Sequence, residues 1–221
     1  MQQKRHSKEQ PVLDQSLKVI NMDKTLSKQL LAELFGTFTL TLIVLASINN
    51  PSFPIPTPFL AALTLGVFVA TIGKISGCHI NPAVTLALLS VKEIPMQKAL
   101  RYIVAQILGA ALANTLLKLA IPNLTLVASN ASLNTLIFET LGATIFIFGI
   151  ASVVFKKTNE HLAPPIIGLS LLLGISAAAI GSNAILNPAV ALGIGSIDLV
   201  YLLAPIVGGI IAMQGYRWLA K

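Results

Sequence analysis

Along this chain, long apolar runs with few charges alternate with short polar breaks. The runs cover residues 30–48, 58–77, 99–120, 133–155, 165–181 and 199–216. Each is close to the ~20 residues that a helix needs to cross a hydrocarbon core ~30 Å thick, so the pattern predicts six transmembrane helices. Two shorter apolar segments lie between them, NPAVTLALLS beginning at Asn81 and NPAVALGIG beginning at Asn187. Asparagine is a favoured N-cap and proline a favoured first helical residue, because proline has no N–H to lose there and its φ is already helical. Both segments therefore read as helix starts. Eight or nine residues at 1.5 Å each give roughly 13 Å, less than half of the bilayer core. Neither can cross it, but two inserted from opposite faces would meet N-terminus to N-terminus in the middle.

The two short segments belong to an internal repeat, which is to be sought before local structure because it governs the whole architecture. Asn81 and Asn187 are 106 residues apart, and so are Glu33 and Glu139, and Gly36 and Gly142. AELFGT at 32–37 thus corresponds to FETLGA at 138–143, and YIVAQILG at 102–109 corresponds to YLLAPIVG at 201–208 with an offset of 99. The second copy is shorter by seven residues after its NPAV. The copies occupy 29–122 and 133–219. Each holds three spans, and an odd number turns the second copy upside down relative to the first. Inverted repeats of this kind place their functional site near the midplane, between the copies. Irregular backbone at that depth is tolerated only where it is buried in protein or lines a watery cavity. The lead-in segments GKISGCHI and AIGSNAIL carry glycine and serine suited to such a path, and the pattern predicts a pore.

Composition agrees with an all-α membrane protein and narrows the alternatives. Of 221 residues, 55% are hydrophobic and 10% charged, and the mean hydropathy is +0.82. Residues 1–28 are polar, with Lys4, Arg5, Lys8, Lys18, Lys24 and Lys28 and without the apolar core of a signal peptide. They are expected to form a cytoplasmic tail ahead of a channel domain over 29–221. Lys74, Lys92, Lys98, Arg101, Lys156, Lys157, Arg217 and Lys221 fall on the same side as the tail in a six-span topology, and Lys118 on the other. The positive-inside rule then puts both termini in the cytoplasm of a multi-pass cell-membrane protein. The net charge of +7 reflects topology and does not point to nucleic acid, since the basic residues are scattered over membrane-proximal loops. One cysteine, Cys78, cannot form an intramolecular disulfide or a cysteine-cluster metal site. No cofactor is expected. No nucleophile, base and orienting residue recur at usable spacing, which argues against an enzyme.

With these motifs in hand, the sequence resembles the aquaporin and glycerol-facilitator family, the major intrinsic proteins, over about residues 28–219. SGCHINPAVT at 76–85 is similar to the family's first signature, AELFGT to its first-helix motif and GLS at 168–170 to its fifth helix. The resemblance implies six tilted helices and two re-entrant half-helices per subunit, one pore in each, and a homotetramer. It assigns Asn81, Pro82, Ala83, Asn187, Pro188 and Ala189 to the pore motifs. Glu33 and Glu139, the carboxylates inside spans, would accept hydrogen bonds from the loop backbone leading to each half-helix. His79, two residues before Asn81, is expected to be a structural hydrogen-bonder in the same support.

The sequence departs from the family pattern at the outer constriction. Most members continue the second motif as NPAR, whereas this chain has Val190 there. Counting back from Asn187 and Asn81 along the family pattern, the resemblance implies that the other constriction positions are Ala61, Ile175 and Ala184, where water-selective members usually carry an aromatic at the first and a histidine at the second. Asn183 stands in place of a usual glycine, a change expected to be tolerated because asparagine can adopt left-handed backbone angles. The aspartate that typically follows NPAR in glycerol facilitators is Ala191 here. An aliphatic filter without fixed charge implies a passive channel for water and small neutral solutes such as glycerol, urea or undissociated metalloid acids. A water-selective aquaporin and a poorly conducting membrane scaffold of the same fold are the alternatives. A coupled transporter would also show inverted repeats, but needs an ion-binding cluster beyond two symmetric glutamates.

Overall fold

The computed structural model describes residues 3–50 and 52–221, with side chains from residue 25 onward. The expected tail over 1–28 therefore lies, except for its last four residues, outside the described side chains. The described residues form eight α-helices, α1 (Gln3–Ile48), α2 (Thr57–Ser76), α3 (Pro82–Ser90), α4 (Met96–Ala120), α5 (Leu133–Val154), α6 (Ala163–Ala178), α7 (Pro188–Ile194) and α8 (Leu199–Leu219). A 3₁₀ turn at Glu160–Leu162 leads into α6. The described residues contain no strand.

Among the described residues six segments are long and apolar enough to cross a membrane: Thr25–Ile48, Thr57–Ser76, Met96–Ala120, Leu133–Val154, Glu160–Ala178 and Leu199–Leu219. They coincide with the six apolar runs to within a few residues at most ends. The helices begin where local chemistry favours a start. The Ser132 hydroxyl accepts from the Thr135 N–H at 3.1 Å, and the Asp198 carboxylate accepts from the Val200 N–H at 3.0 Å, each relieving one orphan donor of a first turn. Pro95 precedes α4, and Pro58 lies in the first turn of α2, where a missing N–H costs nothing.

The repeat is realised as α1 through α4 and α5 through α8. In the first copy α1 packs on α2 and α4, and in the second α5 packs on α6 and α8. The equivalent helices α2 and α6 pack on one another across the junction, as do the tips of α3 and α7. The short helices are exchanged: α3 lies mainly against α8, and α7 mainly against α4. Neither copy can therefore bury its short helix alone.

Small residues set how closely the long helices approach. A Cβ on Gly109 would collide with the Leu34 carbonyl of α1, and one on Gly208 with the Thr140 carbonyl of α5. Leu34 and Thr140 are themselves 106 residues apart, and the two glycines 99 apart, so the same crossing is built twice. At the α2–α6 crossing a Cβ on Gly168 would lie 2.7 Å from the Ala62 carbonyl, and Ala62 is the repeat equivalent of Gly168. Small residues that let backbones approach are the usual means of helix association in lipid, where apolar contact alone gives little advantage over contact with lipid chains.

Candidate functional site

The site is the junction of α3 and α7. At ~1.5 Å per residue, nine and seven residues make helices of roughly 14 and 10 Å, far short of the ~30 Å core. Both begin as expected, with an extended asparagine as cap and proline as the first helical residue. The Asn81 Oδ1 accepts from the Ala83 N–H at 2.8 Å. The Asn187 Oδ1 accepts from the N–H groups of Ala189 at 3.1 Å and Val190 at 3.3 Å. Each asparagine Nδ2 reaches across the junction: Asn81 donates to the Leu186 carbonyl and Asn187 to the Ile80 carbonyl, both at 2.9 Å. The side-chain oxygens are thus committed to their own helices, and one N–H of each amide ties the two copies together. The second N–H of each amide is left over, so each asparagine faces the junction as a donor only.

The loops leading to the half-helices carry backbone that side chains other than glycine rarely adopt. Cys78 (φ 50°) and Ile80 (φ 37°) in the first loop match Ala184 (φ 54°) and Leu186 (φ 55°) in the second. Left-handed non-glycine residues cost on the order of 1–3 kcal/mol each and persist only when their surroundings hold them. Here all four donate their N–H to a side-chain oxygen. Ile80 donates to Glu33 Oε2 at 2.6 Å and Leu186 to Glu139 Oε2 at 2.9 Å. Cys78 donates to Ser76 Oγ and Ala184 to Ser182 Oγ, both at 3.0 Å. The serine hydroxyls in turn donate to the carboxylates, Ser76 to Glu33 at 2.6 Å and Ser182 to Glu139 at 2.8 Å. The His79 and Ile185 N–H groups complete the matching sets at 2.9 Å each. Both glutamates are fully buried.

The first copy holds its loop more heavily than the second. Gln106 Nε2 donates to Glu33 Oε2 at 2.8 Å and to Thr85 Oγ1 at 3.0 Å. His79 Nδ1 lies 3.1 Å from the same Thr85 hydroxyl, and its ring meets Tyr102 edge-on. The Thr85 hydroxyl also reaches the Asn81 carbonyl at 3.1 Å. The equivalents of His79, Thr85 and Gln106 are Ile185, Ala191 and Pro205, and no such network exists in the second loop. Tyr102 donates to the Ser76 carbonyl at 2.7 Å, whereas its equivalent Tyr201 accepts from the Asn183 N–H at 3.3 Å. The sequence reading missed the serine pair, although Ser76 and Ser182 stand 106 apart like the glutamates they serve. Gln106 and Thr85 have no repeat partner and gave no such signal.

A cavity of ≈ 250 Å³ runs from the ends of α1 and α2 to Asn81 and Asn187. Ala61, Ile175, Ala184 and Val190 all line it. Its lining carries no charged side chain, and the polar ones are Thr57 and Asn183 in addition to the asparagine pair. Pro82, Ala83, Pro188 and Ala189 are buried and do not line this cavity. Asn183 differs from expectation. Its φ is not positive, and the left-handed residue is its neighbour Ala184. The reason is where the preceding helix stops. In the first copy α2 runs to Ser76 and Gly77, the equivalent of Asn183, caps it at φ 94°, whereas α6 ends at Ala178 and leaves residue 183 beyond its cap.

An inverted pair of three-span repeats, with two broken helices meeting tip to tip beside an uncharged cavity, defines a membrane channel fold. The match of residues 21–216 to the family model for the major intrinsic proteins places the chain in that family, whose members are channels and not enzymes. Nodulin-26 of Glycine max is 33% identical over 86% of this chain and 77% of its own length. A probable aquaporin, AqpM, of Archaeoglobus fulgidus is 31% identical over 90% of this chain and all of its own length. In fold, the X-ray structure of the aquaglyceroporin from Plasmodium falciparum superposes with a TM-score of 0.65 at 22% identity, covering 86% of this chain and 95% of that one.

Proposed function

We propose that the chain is a passive channel for water and small neutral solutes, among them glycerol, urea and undissociated metalloid acids, working in the cell membrane as a homotetramer with a pore in each subunit. The observation that carries this reading is the cavity that ends at two amide donors and whose uncharged lining includes Ala61, Ile175, Ala184 and Val190. Pore selectivity comes from diameter, lining donors and electrostatic barriers. An aliphatic ring removes bulk, a donor and a charge together from the position where the related pattern carries arginine, which favours solutes wider than water. At the junction an oxygen can accept from both asparagines, and its own hydrogens must then point away from them. The donor-only pair thereby breaks the alternation of donors and acceptors that proton hopping along water requires. The half-helix N-termini add partial positive charge at the same place, which opposes cations.

Reconstituted vesicles in stopped-flow osmotic assays test the reading. Wild type should pass glycerol, urea and arsenite as well as water. Val190→Arg should lower the solute permeabilities at least about tenfold relative to water, the change that ~1.4 kcal/mol in a barrier produces. Wild-type vesicles that pass water alone would overturn the proposal.

A further inference from the structure

We propose that Asn183 is a specificity-determining residue of this channel, a fixed hydrogen-bond acceptor at the outer end of the cavity that receives the hydroxyl or amine hydrogens of neutral polar solutes. This rests on the channel reading above and adds to it the class of solute favoured, molecules carrying several O–H or N–H donors, and the group that selects them.

Asn183 lines the cavity at its outer end, and its side chain is exposed. Its amide is not free to turn. Nδ2 donates to the Ala128 carbonyl at 2.9 Å, in the segment between α4 and α5 that passes over this end of the molecule. With the nitrogen so engaged the orientation of the amide is set, and among the described residues Oδ1 accepts no hydrogen bond from the protein. An amide oxygen has two lone pairs and no hydrogen; with Asn183 in the lining, this oxygen is the acceptor we assign to the rim of the cavity, where the inner end offers donors. Between them lies the aliphatic ring, which can replace none of a solute's bonds to water. A solute with several donors keeps one bond at Asn183 while part of it enters the ring, and gains two at Asn81 and Asn187 on the far side. Water has only two hydrogens and crosses in a file of its own kind, so it draws less from a single rim acceptor.

The bond to Ala128 could instead make Asn183 only a clasp for the overlying segment, but that segment is held without it. The Val127 N–H donates to the Ile194 carbonyl at 2.9 Å, and Ser196 Oγ donates to the Val127 carbonyl at 2.9 Å. Asn49 grips Thr125 twice, accepting from its N–H at 2.7 Å and donating to its carbonyl at 3.0 Å. The backbone at 183 has no left-handed φ to be disturbed by alanine.

The experiment compares the glycerol-to-water and boric-acid-to-water permeability ratios of wild type, Asn183→Ala and Asn183→Asp in vesicles. Alanine removes the acceptor and the clasp together, while aspartate keeps an acceptor and loses the bond to Ala128. The ratios should fall about fivefold in Asn183→Ala, the worth of one net hydrogen bond, and stay near wild type in Asn183→Asp. Equal ratios in all three proteins would sink the acceptor role while leaving the channel reading intact. A common fall in Ala and Asp would assign the residue to the clasp and also overturn the proposal. If wild type passes no glycerol or boric acid at all, the channel reading fails first and this inference with it.

Discussion

Glu33 and Glu139 each accept hydrogen bonds from the irregular backbone that leads to a half-helix. Glu33 accepts from the Ser76 hydroxyl, the His79 and Ile80 N–H groups and the Gln106 amide. Glu139 accepts from the Ser182 hydroxyl and the Ile185 and Leu186 N–H groups. A buried donor left unsatisfied costs roughly 1–3 kcal/mol; Glu33→Ala removes the acceptor of four donors and Glu139→Ala that of three, of which the Ser182 hydroxyl also reaches the Ala178 carbonyl at 2.9 Å. Both variants should lose most of their monodisperse yield in detergent on size-exclusion chromatography, Glu33→Ala the more severely, and the protein that survives should keep the wild-type solute-to-water ratio. Normal yield with an altered ratio would show that the glutamates act on selectivity. The pairing of these two residues was legible in the sequence because their spacing repeats that of Asn81 and Asn187. What their oxygens receive was legible only in part. Ser76 and Ser182 share the spacing, but Gln106 reaches Glu33 from α4, a contact that depends on how two helices cross and leaves no trace in periodicity. Asn183 shows the opposite limit: the substitution was visible, yet its backbone angle depended on α6 ending at Ala178, which no residue near it announces.

The eight helices follow from apolar length and from the caps, so their existence was readable from the chain, and the two short ones were marked by N-P. Their packing was not, because an apolar helix in lipid has no polar face to betray which side meets a neighbour. Glycine supplies part of the missing information. Within α8, Gly208 sits against the Thr140 carbonyl, while nothing lies within 4 Å of where a Cβ on Gly215 would stand. Gly208→Ala should therefore force α5 and α8 apart and destabilise by about 1–3 kcal/mol, the usual cost of overpacking. Gly215→Ala should be neutral or stabilising by up to ~1 kcal/mol through helix propensity. Thermal unfolding of the purified protein in detergent checks both: Tm falls in the first variant and holds or rises in the second. A similar fall in both would mean that crossing distance is not what Gly208 provides.

For the whole molecule, the loops sort into two groups by what they bond, independently of charge. Asn49, before α2, bonds to Thr125, before α5, and Val127 bonds to Ile194 at the end of α7, so these connections share one side. On the other, Gln214 near the end of α8 donates to the Ser90 carbonyl at the end of α3. Six crossings put both ends of the channel domain on this second side. Lys92, Lys98, Lys156, Lys157, Arg217 and Lys221 accompany them, against Lys118 on the first. The positive-inside rule predicts that the lysine- and arginine-rich side faces the cytoplasm, and the cavity lined by Val127 and Asn183 would then open outward. Single cysteines in a Cys78→Ser background test this orientation in intact cells. A membrane-impermeant maleimide should label Ser52→Cys and Asn123→Cys from outside, and should label Glu93→Cys and Lys157→Cys only after the membrane is permeabilised. The reverse pattern would turn the molecule over, placing the Asn183 rim on the cytoplasmic side and the Glu33 loop toward the exterior.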